Sequence, residues 1–399
     1  MQAPELTPRG LERRIKRHLT GAAQHFAAIT TPGFEPYTCK EIAALDGAVI
    51  GTVEKGIVEF SGPFNLIYHA NLCSRTASRI LLRIDSFTAR SYPELYNKLY
   101  RIDWELYVGY TPLVFFTASS VRSRLHHTDR IAESSFSALR DHMHGLGIEA
   151  TFCKSAVIKF VIRFIDDTCT VSIDASGELL YKRGYRTATG KAPLRETTAA
   201  ALLAAAQWEQ YAVIADPCCG SGALPLEATL CAANVPPGSS RDFAFYSWPS
   251  FSRPAWENCK RRLCAAPPGG TRPRLIYAGD IDTAALERLK RNSASLPVGD
   301  RLVVAHADCL TFNGMGEFGR TGLVISNLPY GKRIDAAESN IDEFYFQLGR
   351  SLKKFCSGWD FAFLVADTHF ERKARLRGET ILSFSNGGIG VRLVKGTIT

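Results

Sequence analysis

Four short apolar runs in the second half of the sequence each end in an acidic or amide residue, and helix-forming stretches separate most of them. The runs are VIAD (213–216), IYAGD (276–280), VVAHAD (303–308) and VISN (324–327). Strands that alternate with helices form a mostly parallel sheet with helices on both faces. Ligands bind such sheets at the carboxyl ends of the strands. The alternation therefore predicts a doubly wound, mostly parallel α/β domain whose functional residues follow its strands.

The sequence before residue 179 has a different pattern, in which helices mix with antiparallel strands. The stretch SAVIKFVIRFIDDTCTVSIDAS (155–176) predicts two alternating strands turned at Asp166 and Asp167. The stretch DRIAESSFSALRDHMHGLG (129–147) has helical spacing and ends in glycines. Such a mixture is typical of an α+β region. Near residue 180 the text becomes basic and turn-rich, which predicts a junction between the two parts.

The balance of basic and acidic residues bears on what kind of molecule the protein binds. Lys and Arg number 48 against 39 acidic residues, giving a formal net charge of +9 over 399 residues. That surplus fits a polyanionic partner such as nucleic acid, and it also fits an ordinary soluble protein. The 11 cysteines form no CxxC pair, so no metal site is expected. The sequence shows no signal peptide and no bilayer-spanning apolar run, which predicts a cytoplasmic protein with reduced thiols and no membrane partner.

A glycine turn follows the first of the four strands. In VIADPCCGSGALPLEA (213–228), Asp216 ends the strand, and Gly220 and Gly222 precede a helix. Glycines let a ligand approach the backbone, and a helix N-terminus favours negative groups. The pattern matches neither GxGxxG nor a P-loop. Taken alone, it also fits a tight turn between a strand and a helix.

Two further acids strengthen the ligand interpretation. Asp280 ends the second strand and Asp308 ends the third. A carboxylate after the second strand suits the two hydroxyls of a ribose, and one after the third suits an adenine amino group. A single acid at a strand end is often only a helix cap. Three acidic residues at the ends of successive strands, together with a glycine turn, instead indicate an adenosine derivative as ligand.

An insertion explains why Asp216 and Asp280 are further apart than the roughly twenty residues usual in a dinucleotide fold. The Pro- and Gly-rich stretch 236–273 supplies the excess and carries Trp248, Phe251 and Trp256. These rings either cover the ligand site or pack on the sheet, and the second arrangement is favoured.

The fourth strand ends in the tetrapeptide Asn327-Leu328-Pro329-Tyr330. It resembles the Asn/Asp-Pro-Pro-Tyr/Phe motif of class I S-adenosylmethionine-dependent amino methyltransferases. The lone pair of a base's exocyclic amine is delocalised into the ring, so the nitrogen is a weak nucleophile. The Asn side-chain oxygen and the Leu328 carbonyl would accept its hydrogens, the proline would fix the turn, and the tyrosine would stack on a flipped or unpaired base. A Pro-Tyr turn that only caps the strand is the simpler alternative.

Several long stretches of the sequence, in the same order along the chain, resemble the THUMP-domain guanine-N2 methyltransferases of large-subunit ribosomal RNA, the RlmL type. The matching stretches include TTPGFE, GIVEFSG, RTASRILLRI, LYKRGYRTATGKAPLRETTAAALL, DPCCGSGALPLEA and SNLPYGKRI. The resemblance implies a basic tail and ferredoxin-like segment over 1–55, an RNA-binding THUMP domain over 56–178 and a Rossmann-like methyltransferase domain over 179–399. The family's long form has a second methyltransferase domain. The sequence ends before one would fit, which predicts the short form.

The resemblance also implies S-adenosyl-L-methionine as cofactor and assigns residues to it. The implied cofactor residues are Asp216, Cys218, Gly220, Gly222, Asp280, Ile281, Asp308, Cys309 and Asn327, and the implied catalytic residues are Asn327, Leu328, Pro329 and Tyr330. Two positions depart from the family pattern. Leu328 replaces a common proline, and Cys218-Cys219 replaces the usual Phe-Cys. Gly331 and Arg333 resemble the guanine-amine members more than the adenine-amine enzymes.

Basic residues supply the expected contacts to RNA. A first cluster lies at the start of a helix and contains Arg122, Arg124 and His126, with His127 and Arg130 beside them. A second cluster lies at the domain junction and contains Lys182, Arg183 and Arg186. Arg333 is the remaining predicted RNA-binding residue. Such a cluster can also be a solvated face.

The sequence therefore predicts an RNA methyltransferase that transfers a methyl group to the N2 amine of a guanosine, in 23S ribosomal RNA or its assembly intermediate. One alternative is an amino methyltransferase with another acceptor, namely adenine in RNA or DNA, or a glutamine amide. Another is a non-catalytic RNA-binding or ribosome-assembly factor, against which the intact cofactor and catalytic residues argue. Nothing in the sequence indicates an oligomeric state.

Overall fold

The chain divides into two units in a computed structural model that describes residues 7–110, 112–186, 188, 194–264, 275–294, 296, 301–319, 321–329 and 341–399. The first unit comprises residues 1–30, 38–180 and 241–261. The second comprises residues 31–37, 181–240 and 262–399. The predicted domain boundaries and the THUMP domain stay predictions.

The strands, in chain order, are β1 Ala23–Thr30, β2 Val49–Glu54, β3 Ile57–Pro63, β4 Ala77–Thr88, β5 Leu113–Val121, β6 Thr151–Phe152, β7 Ile158–Ile165, β8 Thr168–Asp174, β9 Val213–Asp216, β10 Leu275–Asp280, β11 Leu302–His306, β12 Leu323–Asn327, β13 Asp360–Val365, β14 Glu379–Asn386 and β15 Ile389–Thr397. The α-helices are α1 Pro8–Ile15, α2 Glu35–Ala43, α3 Leu66–Cys73, α4 Tyr92–Tyr100, α5 Glu105–Val108, α6 Thr128–Gly145, α7 Glu196–Ala205, α8 Ala223–Ala232, α9 Arg253–Cys264, α10 Thr283–Ser293, α11 Gly314–Phe318, α12 Ile341–Phe355 and α13 Phe370–Ala374.

An eight-stranded sheet in the order β2-β3-β1-β4-β8-β7-β5-β6 forms the centre of the first unit. The predicted hairpin is present as β7 and β8, which pair antiparallel up to Ile165 and Thr168. Its two turn residues, Asp166 and Asp167, have φ angles of 48° and 62°. Positive φ at both central residues gives a two-residue turn the twist that matches its strands. The α+β prediction for this region is confirmed.

A seven-stranded sheet in the order β11-β10-β9-β12-β13-β15-β14 forms the second unit. Strands β9 to β13 pair in parallel, and β15 and β14 complete the sheet antiparallel. From β9 the chain winds outward through β10 to β11 and then returns to β12 on the other side. The reversal places the carboxyl ends of β9 and β12 at the switch point, where open α/β sheets bind ligands. The doubly wound α/β prediction is confirmed.

Both faces of this sheet are buried. Ile214, Ile276 and Ile325 belong to one apolar cluster, which includes residues of α7 and α8. Ala215, Val324 and neighbouring side chains belong to a second cluster, which includes residues of α12. A parallel strand covered on both faces needs apolar side chains at consecutive positions. This explains why the four runs are continuous rather than alternating.

The aromatic residues of the 236–273 stretch lie in the first unit. The rings of Phe245 and Trp256 have centroids 5.0 and 5.9 Å from that of Tyr68, and the Ser252 N–H donates to the Tyr68 hydroxyl at 3.1 Å. Trp248 is buried as well. These rings therefore pack within the first unit, and their relation to the ligand site stays a prediction.

Across the described ranges, no helix is both long and apolar enough to cross a membrane. The same residues contain no group of three or more His, Cys, Asp or Glu side chains that could hold a metal ion.

Candidate active site

A cavity of about 720 Å³ opens at the carboxyl edge of the seven-stranded sheet. That volume lies within the range of about 300–1,000 Å³ usual for small-molecule sites. Seven of the predicted site residues line it: Cys218, Asp280, Ile281, Asp308, Cys309, Asn327 and Pro329. They come from four separate strand ends, and the parallel sheet brings these ends to one edge.

The glycine turn holds Asp280 in place. The Gly220 N–H donates to Asp280 Oδ2 at 2.7 Å, and the Asp282 N–H donates to Oδ1 at 2.9 Å. Gly220 and Gly222 have φ angles of 55° and 86°, which favour glycine. A Cβ on Gly222 would approach Leu289 Cδ1 to 2.7 Å, whereas one on Gly220 would meet no described atom within 4 Å. The Asp280 carboxylate is therefore fixed, and each oxygen keeps capacity for a second hydrogen bond.

Asp308 is fixed in a similar way after β11. Its Oδ1 accepts the Leu310 N–H at 2.9 Å, and a short helical turn over Cys309–Thr311 begins directly after it. The carboxylate lies on the cavity wall with its other oxygen uncommitted to this turn. It therefore suits a donor such as an amino group of a ligand.

Asp216 does not line the cavity and instead contacts residues that follow or belong to the neighbouring strands. The side chain is buried, and Oδ1 accepts the Ser326 hydroxyl and, at 3.2 Å, the Cys218 N–H. Burial raises the pKa of Asp216 to about 7, and these two hydrogen bonds oppose the shift. Because Asp216 ends β9 and Ser326 lies in β12, their hydrogen bond joins the two strands of the switch point. The cofactor contact predicted for Asp216 stays a prediction.

The side-chain oxygen of Asn327 differs from the other polar atoms of the site in its hydrogen bonding. Its Oδ1 is buried and has no hydrogen-bond partner among the described residues. The backbone beside it is fixed, since the Leu328 N–H donates to Leu364 O at 3.2 Å and the Tyr345 hydroxyl reaches Pro329 O at 3.5 Å. A buried acceptor without a donor costs free energy and suggests a site for a ligand hydrogen.

The remainder of the predicted catalytic stretch lies outside the described residues. This applies to Tyr330, Gly331 and Arg333, so their roles stay predictions.

The side chains of Cys218 and Cys309 form part of the cavity wall. A hydrogen bond to the Cys309 thiol, together with burial, raises the pKa of Cys218 well above its usual value. Cys218 is therefore a neutral thiol at physiological pH. The departure from the family's Phe-Cys therefore leaves an uncharged side chain at position 218.

The sequence analysis did not predict that residues of α12 line the cavity. Ile341, Phe344 and Gln347 from this helix line the cavity, and Tyr345 is buried beneath it. The helix begins after the predicted catalytic stretch and has apolar residues at helical spacing, which was the available signal.

The first predicted RNA cluster lies on the surface at the start of α6. The Arg122 guanidinium pairs with Asp166 through two bonds of 2.8 Å. The side chains of Arg124 and His126 are exposed, and the His126 and His127 rings lie 4.2 Å apart. The Arg130 guanidinium lies 4.1 Å from the centroid of the Tyr92 ring. Of these guanidinium groups, that of Arg124 has no partner among the described residues.

The second predicted RNA cluster is mostly buried, which corrects the prediction. Lys182 is exposed, but Arg183 is only 1% exposed and pairs with the buried Glu227 at 3.2 Å. Arg186 is 6% exposed in its side chain and pairs with Glu196 at 2.8 Å. A phosphate cannot reach either guanidinium, because both are enclosed and already neutralised by carboxylates. Their RNA-binding role is therefore not retained.

Comparison with known proteins identifies the family. A family model described as the RMKL-like methyltransferase domain matches residues 183–395. The chain belongs to this family. A second model, the RlmL ferredoxin-like domain, matches residues 25–81. The expected ferredoxin-like segment and methyltransferase fold are thus both confirmed.

Curated relatives cover nearly the whole chain. The ribosomal RNA large subunit methyltransferase K/L of Methylococcus capsulatus is 30% identical over 92% of this chain, which spans 50% of that relative's length. The putative RNA methyltransferase slr0064 of Synechocystis is 30% identical over 93% of this chain and 97% of its own. YpsC of Bacillus subtilis, also a putative RNA methyltransferase, is 29% identical over 85% of this chain and 87% of its own.

Solved structures share the complete fold. SMU.472, a putative methyltransferase complexed with SAH, superposes with a TM-score of 0.82 and 28% identity over 94% of this chain and 98% of its own. A predicted N6-adenine-specific DNA methylase from Listeria monocytogenes gives 0.82 and 27% over 94% and 96%. Because SAH is the product left when S-adenosyl-L-methionine donates its methyl group, the first match confirms the predicted cofactor.

Proposed function

We propose that this protein transfers a methyl group from S-adenosyl-L-methionine to the exocyclic N2 amine of a guanosine in large-subunit ribosomal RNA. The observation that carries the proposal is the buried Oδ1 of Asn327 at the end of β12, which has no hydrogen-bond partner among the residues that the structure describes. It stands on the wall of the same cavity as the two strand-end acids. An amine hydrogen would satisfy this acceptor.

The cavity fits the proposed cofactor. The fixed Asp280 carboxylate would accept the ribose hydroxyls, and Asp308 would accept the adenine amino group. Phe344, Ile341 and the neutral Cys218 supply apolar contact for the rest of the molecule. The open space beside Gly220 leaves room for a ligand against the turn. When bound, the cofactor supplies an electrophilic methyl group on a sulfonium.

Asn327 and Leu328 would activate the acceptor amine. The Asn327 amide oxygen and the Leu328 carbonyl oxygen accept its two hydrogens and draw the nitrogen lone pair out of the ring. Because an amide is not a base at neutral pH, its contribution is positioning and electrostatic. We assign stacking on the base to Tyr330, which requires the base to be flipped or unpaired.

The RNA would contact the exposed residues at the start of α6. Arg124, His126, His127 and Arg130 present cationic or hydrogen-bonding groups there. These groups would bind phosphate and position the RNA without reading its sequence. The names of the K/L relatives support ribosomal RNA as the substrate class. Because ribosomal RNA is the proposed substrate, we place the reaction in the cytoplasm.

A second candidate acceptor is the N6 amine of adenine. The Listeria neighbour is described as a predicted N6-adenine-specific methylase, and an exocyclic adenine amine would satisfy Asn327 equally well. The guanine assignment rests on the resemblance of Gly331 and Arg333 to guanine-amine enzymes.

Nucleoside analysis distinguishes the two acceptors. Unmethylated 23S ribosomal RNA is incubated with the purified chain and methyl-labelled S-adenosylmethionine, digested, and examined by mass spectrometry. We expect label in N2-methylguanosine. Label in N6-methyladenosine without methylguanosine would refute the guanine proposal. Asn327→Ala should abolish labelling while S-adenosylhomocysteine still binds, and unchanged turnover would refute the role of Asn327 as acceptor.

A further inference from the structure

Residues 183–186 run behind the glycine turn and are held there by buried charges. The Arg183 guanidinium and the Tyr185 hydroxyl both donate to Glu227 Oε1 at 3.2 Å. Glu227 lies in α8, which begins directly after the turn. Gly184 has a φ of 92°, and a Cβ there would lie 1.9 Å from Ser240 O. The path of this segment is therefore tightly constrained.

Arg186 is the residue of this segment that contacts the turn itself. Its Nη2 donates to the Ser221 hydroxyl at 2.8 Å, and its Nη1 donates to Glu196 Oε1 and to Leu194 O, both at 2.8 Å. Ser221 lies between the two glycines with positive φ angles. A continuous set of contacts thus leads from Arg186 through Ser221 and Gly220 to the Asp280 carboxylate.

A turn of this kind needs such an anchor. Glycine has more conformations to lose than any other residue, so a side-chain contact to Ser221 adds to the turn's own backbone hydrogen bond from the Gly222 N–H to Cys219 O at 2.9 Å. A hydrogen bond from a charged donor is stronger and more directional than one between neutral groups. Glu196 neutralises the guanidinium, so its burial does not leave an unpaired charge.

We propose that Arg186 is a positioning residue for the cofactor turn. Acting through Ser221, it holds the turn so that the Gly220 N–H fixes Asp280 for the ribose, and it thereby sets the affinity for S-adenosylmethionine. This inference rests on the proposed placement of the cofactor against Gly220 and Asp280. It does not depend on which base is methylated.

The test measures S-adenosylhomocysteine binding to the full chain by calorimetry, without RNA. The variants are Ser221→Ala, Arg186→Gln, the double variant and Arg186→Lys. We expect each single deletion to weaken binding about tenfold, the size expected for one lost hydrogen bond. The double variant should bind S-adenosylhomocysteine no more weakly than the single variant with the lower affinity, because both changes remove the same hydrogen bond. Lysine should restore binding in part, since it keeps the charge but not the fork.

A matched hydroxyl deletion controls for general damage. Thr229 is buried in α8 and donates to Pro225 O at 2.7 Å, away from the turn. Thr229→Val should bind S-adenosylhomocysteine within twofold of wild type. In the Arg186 and Ser221 variants the KM for S-adenosylmethionine should rise, while kcat at saturating cofactor and the KM for RNA stay within twofold. A purely structural role would lower the melting temperature and leave the affinity of the folded protein unchanged.

Three results would overturn the inference. They are wild-type affinity in Ser221→Ala, wild-type affinity in folded Arg186→Gln, and additive losses of about a hundredfold in the double variant. If Arg186→Gln does not fold, Ser221→Ala decides alone. Asp280→Asn separates the two levels of the proposal. If this variant also binds like wild type, the placement of the cofactor is wrong. If it loses binding while Ser221→Ala does not, only the role of Arg186 fails.

Discussion

Replacing Asp216 by Asn removes a buried carboxyl without changing its shape, and we expect the second unit to become more stable at high pH. Burial raises the pKa of Asp216 from 3.8 to about 7. Hydrogen bonds from Ser326 and the Cys218 N–H oppose that shift, and the nearby Asp280 adds to it. Burial dominates because a carboxylate loses its hydration in the sheet.

The sign of the pH dependence follows from the raised pKa. Between pH 3.8 and about 7 the folded state keeps a proton that the unfolded state has lost, so stability falls as pH rises. A shift of about 3 pKa units, at about 1.36 kcal/mol each, costs about 4 kcal/mol above pH 7. Asparagine has no such proton. We therefore expect Asp216→Asn to stabilise the unit by about 2 kcal/mol at pH 5 and about 4 kcal/mol at pH 8.

Urea denaturation at pH 5 and pH 8 measures this difference. A short hydrogen-exchange pulse followed by mass spectrometry reports peptides of the seven-stranded sheet separately from the first unit. Ser326→Ala is the control, because loss of a donor to Asp216 raises its pKa further and should extend the fall in stability to higher pH. Equal stabilisation by Asp216→Asn at both pH values, or a less stable variant at pH 8, would refute the reasoning.

Three further predictions test the turn, the aromatic segment and the basic surface. Gly222→Ala should destabilise the second unit by about 2–4 kcal/mol in urea unfolding, because its Cβ meets Leu289 at 2.7 Å; Gly220→Ala should destabilise less but still weaken S-adenosylhomocysteine binding in calorimetry, and equal effects of the two would contradict this distinction. Trp256→Ala should cost the first unit about 3–5 kcal/mol, measured in the same unfolding assay, while cofactor affinity stays unchanged, since the ring packs against Tyr68 within the first unit. Arg124→Ala should lower the slope of log affinity for RNA against log salt by about 1 in a filter-binding titration, and an unchanged slope would exclude a phosphate contact.

The sheet edge could be predicted because strand periodicity fixes which ends meet. Once β9 to β12 are recognised as parallel strands, the residues that follow them must lie at one edge, whatever the loops do. Asp280, Asp308 and Asn327 do line one cavity. Asp216 has the same sequence position but a different environment, since Ser326 lies close enough to enclose it. Periodicity along one strand does not reveal such a contact between strands.

The buried arginines show the main limit of charge patterns. Arg183 and Arg186 look like a surface cluster because their carboxylate partners are distant or unremarkable in sequence. Glu227 gives the better signal, since a glutamate in a buried and mostly apolar helix needs a cation nearby. The walls supplied by α12 were missed for a related reason: the position of a helix over a sheet edge depends on packing, which strand spacing does not specify.

Methylation of a guanine N2 amine can be tested with a substrate that lacks this amine. After the modified nucleotide has been mapped, transcripts are made with inosine at that position, because inosine lacks only the exocyclic amine. Transcripts with 7-deazaguanosine there retain the amine and serve as the control. We predict methyl transfer to the guanosine and 7-deazaguanosine transcripts and none to the inosine transcript. Methyl transfer to the inosine transcript at the rate of the guanosine transcript would show that the N2 amine is not the acceptor.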